Sequence, residues 1–275
     1  MKILITGCAG FIGYHLTNSL LSKKNKIYGI DNLNNYYSVK LKKDRLKEVK
    51  KKARINNFFF KFKKLDISDF KKLNIFFKKN KFDVVVNLAA QAGIRYSIIN
   101  PSQYLKSNVI GFFNLIELSK NYKIKNFIYA STSSVYGMKK KLPFKESLNT
   151  DHPLQFYAAT KKSNEVIAHS YSSLFKLPTI GLRFFTVYGP WGRPDMAYFK
   201  FTKKIINKEF IPVFNYGKHS RDFTYIDDIV DSLKLIIKKG FISENKLKVS
   251  VPFQIYNLGN NFPLKLTNLI KYLET

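Results

Sequence analysis

Short apolar runs alternate with stretches of helical periodicity along most of this chain. Residues 2–5, 26–30, 58–63, 82–88, 127–131, 179–183 and 254–258 are runs of strand length, and 82–88 is almost continuously apolar. Between them, residues 11–21, 69–79, 101–122, 157–175 and 227–238 space their apolar positions as helices do. Strands and helices alternating at this rhythm predict an α/β fold with a doubly wound parallel sheet, because each crossover helix returns the chain to start the next strand in the same direction. Past about residue 184 the rhythm breaks, and Gly189-Pro190, Gly192, Pro194, Pro212 and Gly217 punctuate the chain. We therefore expect a larger α/β domain over 1–182 and a smaller, loop-rich region over 183–275, some of whose segments return to the larger domain. Residues 266–273 begin another apolar-periodic helix just before the chain stops at Thr275, so a C-terminally truncated form of a longer protein is expected. There is no internal repeat and no low-complexity linker.

The first thirty-one residues add chemistry to this pattern. Gly7, Gly10 and Gly13 follow the first strand at three-residue spacing and lead into the first helix, and Asp31 closes the second strand. In a parallel β-α-β unit the first helix presents its N-terminal N–H groups to whatever lies above the sheet, and glycines let the backbone approach a pyrophosphate. An acid about twenty residues beyond the glycines suits a ribose 2′-hydroxyl and repels a 2′-phosphate. The reading is a Rossmann unit for NAD rather than NADP. Cys8, inside the loop, reads as a small packed residue rather than a reactive thiol.

Composition narrows the setting. The chain has 275 residues, enough for one large core or two smaller ones. One cysteine excludes an internal disulfide and fits a reducing compartment. Residues 2–12 resemble a secretory signal only superficially, since Gly7 and Gly10 interrupt them and they merge into the glycine loop, and no stretch reaches the roughly 18 apolar residues that span a bilayer. A cytoplasmic protein without membrane insertion is expected. The net charge of +30 invites a nucleic-acid reading, but it comes from 42 lysines and six arginines, with the lysines spread through nearly every segment. The abundance of Lys, Asn, Ile and Phe reads as compositional bias. The densest run, 40–64, reads as a solvated helix and a following loop. DNA binding is expected to be weak, sequence-blind and lost by roughly 0.2 M salt. Four of the six arginines, Arg95, Arg183, Arg193 and Arg221, fall in motif-like segments instead. Arginine holds carboxylate or phosphate bidentately, which lysine cannot do, so these positions hint at anion recognition.

Tyr157 and Lys161 are four residues apart on a predicted helix and share a face. An ammonium beside a phenol favours the phenolate and makes it a usable general base. The pair follows a hydroxyl cluster, Ser131-Thr132-Ser133-Ser134, at the end of a predicted strand. Active groups in open α/β sheets lie beyond the carboxyl ends of strands. No metal-ligand pattern accompanies them.

These motifs together resemble the extended short-chain dehydrogenase/reductases, and within them the UDP-glucuronate 4-epimerases. The residues that carry the likeness are the glycine loop, 29–34 (Gly-Ile-Asp-Asn-Leu-Asn), 88–93 (Leu-Ala-Ala-Gln-Ala-Gly) with Arg95-Tyr96-Ser97, 129–137, the Tyr157/Lys161 pair, 183–196 and 221–228. The segment from Arg183 to Met196 is specific to the subfamily. The resemblance implies that Tyr157 takes the proton from the sugar 4-hydroxyl, with Lys161 tuning it and holding the nicotinamide ribose. Thr132 stands beside the reacting oxygen, and Ser133, counted with the catalytic residues, lines the sugar site with Ser134. Hydride leaves C4 for NAD, the 4-keto sugar turns over, and hydride returns to its other face. The implied cofactor set is Gly7, Gly10, Phe11, Ile12, Gly13, Asp31, Asn32, Asp66, Ile67, Leu88, Ala89, Ala90, Gln91, Asn108, Ser131 and Phe184, with Tyr157 and Lys161. The implied substrate set is Arg95, Ser133, Ser134, Thr186, Arg193 and Arg221, with Thr186 and Arg193 on the sugar carboxylate and Arg221 on the diphosphate. A homodimer paired through the helices at 101–122 and 157–175 is the family habit.

Two departures qualify the likeness. Related 4,6-dehydratases carry Asp-Glu where this chain has Ser133-Ser134, which argues against dehydration. Family members also continue for several dozen residues past Thr275, into a part that covers the uridine diphosphate. The competing readings are a UDP-hexose 4-epimerase, a UDP-glucuronate decarboxylase and a non-catalytic NAD-binding truncation product.

Overall fold

The structure, a computed structural model, describes residues 1–138, 142–241 and 251–275, with the backbone alone at 214 and 215. The chain opens with β1 (Lys2–Thr6), α1 (Phe11–Leu20), β2 (Lys26–Asp31), α2 (Val39–Ile55), β3 (Phe59–Lys64), α3 (Phe70–Asn80) and β4 (Val84–Asn87). Next come α4 (Tyr96–Ile99), α5 (Pro101–Tyr104), a π-helical segment (Leu105–Ile110) and α6 (Gly111–Asn121). They lead to β5 (Asn126–Thr132), a 3₁₀ turn (Ser133–Tyr136), α7 (Phe156–Phe175), β6 (Thr179–Phe184), β7 (Thr186–Tyr188) and α8 (Ala197–Ile206). The chain closes with β8 (Ser220–Tyr225), α9 (Ile226–Lys239), β9 (Phe253–Leu258), β10 (Pro263–Lys265) and α10 (Leu266–Glu274).

Seven parallel strands form one sheet in the order β3-β2-β1-β4-β5-β6-β9. The order reverses between β1 and β4, so a cleft opens above their carboxyl ends. Both faces of the sheet are covered, which is why the central strands read as unbroken apolar runs. Ile3, Ile5, Val84 and Val86 face one layer with α1, α2 and α9. Leu4 and Val85 face the other with α3, α6 and α7. β9 lies next to β6, so a late segment completes the first sheet. A second, three-stranded sheet runs β10-β8-β7, and Phe201 of α8 packs with Leu266 and Leu269 of α10 beside it.

Two expectations need correction. The segment 101–122 is helical throughout but not uniformly α, because six residues widen to a π-helix around the buried Asn108. And 40–64 is not simply a solvated helix and a loop. It forms α2 and the edge strand β3, and on α2 both Lys42 and Arg45 are buried.

Arg183 also departs from its expected part in anion recognition, since an internal carboxylate holds it. Its Nε and Nη2 meet Glu165 at 2.9 Å each, and Nη1 donates to Tyr136 Oη at 2.9 Å. Ser131 Oγ donates to the same carboxylate at 2.6 Å, so the network clamps β5, β6 and α7 together under the cleft. Arg183→Met should therefore strand a buried Glu165 and lower unfolding stability by about 3–5 kcal/mol. Denaturant unfolding of parent and variant measures it, and a change below about 1 kcal/mol would show the pair to be dispensable.

Candidate active site

The glycine loop turns tightly over the end of β1. Gly7 takes φ +70°, and a Cβ there would lie 2.8 Å from Ala89 N, while one on Gly13 would lie 2.1 Å from Gly7 O. Only glycine permits this approach of α1 to the strand. The N-terminus of α1 has no side-chain cap, so its first N–H groups are open to an anion. Asp31, at the end of β2, is oriented by Ala9 N at 3.2 Å and Leu33 N at 2.8 Å. Burial pushes its pKa up, against those two hydrogen bonds and the nearby Lys42 and Arg45. Asp66 accepts from Asn32 Nδ2 at 3.1 Å and from Ser68 N and Oγ at 2.9 and 2.8 Å. Burial opposes its ionisation, but these bonds outweigh it and hold its carboxyl below the usual range.

At the far end of the cleft, Asn108 sits in the π segment and ties down the loop after β4. Its Oδ1 accepts Gln91 N at 2.8 Å, and its Nδ2 donates to Gln91 O at 3.0 Å and to Thr160 Oγ1 at 3.1 Å. The loop at 88–92 and α7 are thereby held in one register. α7 brings Tyr157 and Lys161 to the cleft on one face, opposite Thr132 at the end of β5. Lys161 Nζ donates to Ala130 O at 2.8 Å. Burial alone lowers its pKa to about 8.

The electrostatics of Tyr157 differ from the expectation. Burial raises its phenol, and the neighbours that pull it down are Arg193 and the hydrogen bond with Thr132, not Lys161. Ser134 Oγ lies 3.2 Å from Thr132 Oγ1, within hydrogen-bond reach. Arg193 comes from the loop after β7 and is fixed by Asp195, at 3.0 Å to Nε and 2.5 Å to Nη2. Tyr36 Oη donates to the same carboxylate at 3.2 Å.

Most of the sequence-derived residues therefore converge. Gly7, Gly10, Phe11, Ile12, Gly13, Asp31, Asn32, Asp66, Ile67, Leu88, Ala89, Ala90, Gln91, Ser131, Thr132, Tyr157, Lys161, Phe184 and Arg193 all line one cleft. Asn108 lies behind its wall. Ser133, Ser134, Arg95, Thr186 and Arg221 do not line it, although Ser133 and Ser134 start the turn directly after Thr132. Sequence reasoning missed Tyr36, Arg45 and Asp195. The one available signal for Arg45 was its being an arginine within a run of lysines. Cys8 is buried, and burial pushes its thiol up, as a packing residue requires.

The burial of Lys161 has a measurable consequence. Its pKa falls from an ordinary 10.5 to about 8 in the folded protein, so the unfolded chain holds the extra proton between those values. Stability should then rise with pH, by about 1 kcal/mol from pH 8 to pH 9. Within the same range the unfolded thiol of Cys8, with an ordinary pKa of 9.0, begins to ionise while the buried one does not, and offsets part of that gain. The rise should be absent in Lys161→Met, as denaturant midpoints at the two pH values will read.

The cleft fits NAD on its own geometry: a cradle that a Cβ would fill, an uncapped helix end, and a buried acid where the second strand stops. Fold and site define a dinucleotide-binding enzyme of the short-chain dehydrogenase/reductase type. More narrowly, residues 3–259 match the NAD dependent epimerase/dehydratase family, and the chain belongs to it. It is 51% identical over 283 residues to Protein CapI of Staphylococcus aureus, covering 100% of this chain and 83% of that protein. It is 43% identical over 281 residues to UDP-glucuronate 4-epimerase 4 of Arabidopsis thaliana, covering 100% of this chain and 63% of that longer protein. Among solved structures, UDP-glucuronic acid 4-epimerase of Bacillus cereus in complex with UDP-glucuronic acid and NAD superposes with a TM-score of 0.86. Identity there is 34%, over 100% of this chain and 82% of that one. The UDP-glucose 4-epimerase of Thermotoga maritima superposes with a TM-score of 0.82 at 28% identity, over the same shares of the two chains.

Proposed function

We propose that this protein interconverts UDP-glucuronate and UDP-galacturonate by NAD-dependent 4-epimerisation. The observation that carries the reading is the placement of the Arg193 guanidinium in the same cleft as the Tyr157 phenol. A guanidinium there suits a sugar whose C6 is a carboxylate, and a neutral hexose would leave unpaired those of its donors that Asp195 does not take.

Bound NAD supplies a reversible hydride acceptor at C4. The protein's residues do the rest. Tyr157 accepts the proton of the 4-hydroxyl and later returns it, with Thr132 hydrogen-bonded to the phenol and Ser134 in reach of Thr132. Lys161, anchored on Ala130 O, holds a positive charge beneath the reacting region. Asp31 suits the adenosine ribose, and Asp66 with Ile67 suits the adenine edge. Arg193 holds the uronate carboxylate, and Ser133, Thr186, Arg95 and Arg221 reach the sugar and diphosphate once substrate is in place. Ser133 and Ser134 offer no acid to expel a 6-hydroxyl, so dehydration is not the outcome.

Exposed Leu105, Ile110 and Phe113, with Val166 and Leu174 on α7, support pairing of two copies through these helices. Among the described residues no helix is long and apolar enough to cross a membrane, and the one buried cysteine supports a cytoplasmic location. The region 1–182 carries most of the cofactor site and 183–275 contributes to the substrate site, with β9 returning to the first sheet.

The test is the product formed from UDP-glucuronate. We expect UDP-galacturonate at equilibrium with its epimer and no net NADH. A UDP-pentose as main product would make the protein a decarboxylase, and no product from UDP-glucuronate alongside turnover of UDP-glucose would make it a neutral-sugar epimerase.

A further inference from the structure

The loop after β7 takes a shape that its sequence does not favour. Trp191 sits at φ 58°, in the left-handed region that a bulky side chain rarely adopts. Three successive main-chain carbonyls of this loop are gripped by side chains from the two helices beside the glycine loop. His15 Nε2, on α1, donates to Pro190 O at 2.9 Å. Arg45 Nη2, on α2, donates to Trp191 O and, at 3.1 Å, to Gly192 O. The other arm of the same guanidinium, Nη1, donates to Ala9 O inside the glycine loop at 2.9 Å and to Tyr37 Oη at 2.8 Å.

Arg45 is fully buried and makes no ion pair among the described residues, and its Nε has no hydrogen-bond partner. A buried cation without a carboxylate is unfavourable in itself, so stability alone does not explain it. What it does uniquely is span two loops. One faces the dinucleotide, and the other continues directly into Arg193. A lysine has a single point of attachment and cannot make both connections, whereas the planar fork of arginine can.

We propose that Arg45 is a positioning residue that locks the Arg193-bearing loop to the glycine loop, and thereby sets the preference for a 6-carboxylate sugar. It acts only through main-chain carbonyls. Gly192 O lies one peptide away from Arg193, so release of the grip lets Trp191 relax and carries the guanidinium away from Tyr157. The specificity part of this inference rests on the reading of Arg193 given above.

The experiment uses NAD-loaded protein and compares the parent with Arg45→Met and Arg45→Lys. Amide exchange over residues 189–196, followed by mass spectrometry, reads the lock. Dissociation constants for UDP-glucuronate and UDP-glucose, measured by calorimetry, read its consequence. We expect exchange to quicken at least about tenfold in Arg45→Met and less in Arg45→Lys. The dissociation constant for UDP-glucuronate should rise at least about tenfold, while that for UDP-glucose moves less than about threefold. Unchanged exchange in either variant overturns the lock. A loosened loop with equal losses on both sugars overturns the specificity role and leaves Arg45 structural. Should Arg45→Met not fold, Arg45→Lys and Tyr37→Phe carry the same two measurements. A parent protein that does not bind UDP-glucuronate overturns the proposed substrate, and the exchange arm then decides the lock by itself.

Discussion

Replacing Tyr157 by Phe is expected to lower epimerisation by about 10²–10⁴-fold, the range for removing a positioned general base, with NAD still bound. The ring's packing survives, since it meets Tyr104 at 6.1 Å between centroids, and only the hydroxyl is lost. The contacts proposed for NAD, on the glycine loop, Asp31 and Lys161, do not involve that oxygen, so cofactor content measured on the purified variant should match the parent. Thr132 is unable to substitute, because a hydroxyl of ordinary acidity is a far weaker acceptor of the sugar proton than a phenolate. Turnover within about tenfold of the parent, or about 1.4 kcal/mol of barrier, would remove Tyr157 from the mechanism.

The second large effect is expected from Arg193→Ala. Truncating one member of a buried charge pair weakens transition-state binding by about 2–5 kcal/mol, and the loss should fall on UDP-glucuronate. Two contributions are separable. The variant loses the clamp on the substrate carboxylate, and it also leaves Asp195 unneutralised in the cleft, where it repels that carboxylate. Arg193→Ala with Asp195→Asn removes the repulsion and reports the clamp alone. A third contribution follows from Tyr157. Arg193 is the neighbour that most lowers the phenol against its burial, so its removal should move the rising limb of the pH–rate profile to higher pH for every substrate. The comparison of sugars is therefore the ratio of their losses at one pH, in which a shift of the phenol common to both cancels. Beyond that shared shift, UDP-glucose should change little. The fraction of decarboxylated by-product should also rise, because the 4-keto intermediate loses carbon dioxide more readily when its carboxylate is no longer held charged and hydrogen-bonded. Equal losses on both sugars would show that Arg193 does not read the carboxylate, and would favour a neutral-sugar epimerase.

Much of this was legible in one dimension because the signals are local. The glycine loop needs only spacing, since backbone clearance at Gly7 and Gly13 depends on residues within a few positions of the turn. The strands read as unbroken apolar runs because both faces of a parallel sheet are covered, and Ile3, Leu4 and Ile5 divide between the two layers. The pairing of Tyr157 with Lys161 follows from the pitch of a helix. Segments 58–63 and 254–258 were placed within a residue or so of β3 and β9.

What could not be read depends on which distant segments meet. Apart from its being an arginine, nothing in the pattern of 40–64 separates Arg45 from the lysines around it, because the acceptors that keep it buried are carbonyls about 36 and 147 residues away in the chain. Arg183 and Arg193 look alike as arginines in a motif. One is closed off by Glu165 under the sheet, and the other faces the cleft with Asp195 behind it. The π widening around Asn108 is likewise a tertiary outcome, drawn out by hydrogen bonds to Gln91 and Thr160.

Spacing along a strand, a turn or a helix was enough to specify the parallel sheet, the glycine loop with its acid, and the common face of Tyr157 and Lys161. The tertiary structure alone decided which cations are locked inside, which carboxylate each arginine meets, and what sets the acidity of Tyr157. Those are properties of charges and hydrogen-bond donors brought together across the fold, and a buried charge is governed by its spatial neighbours rather than its chain neighbours.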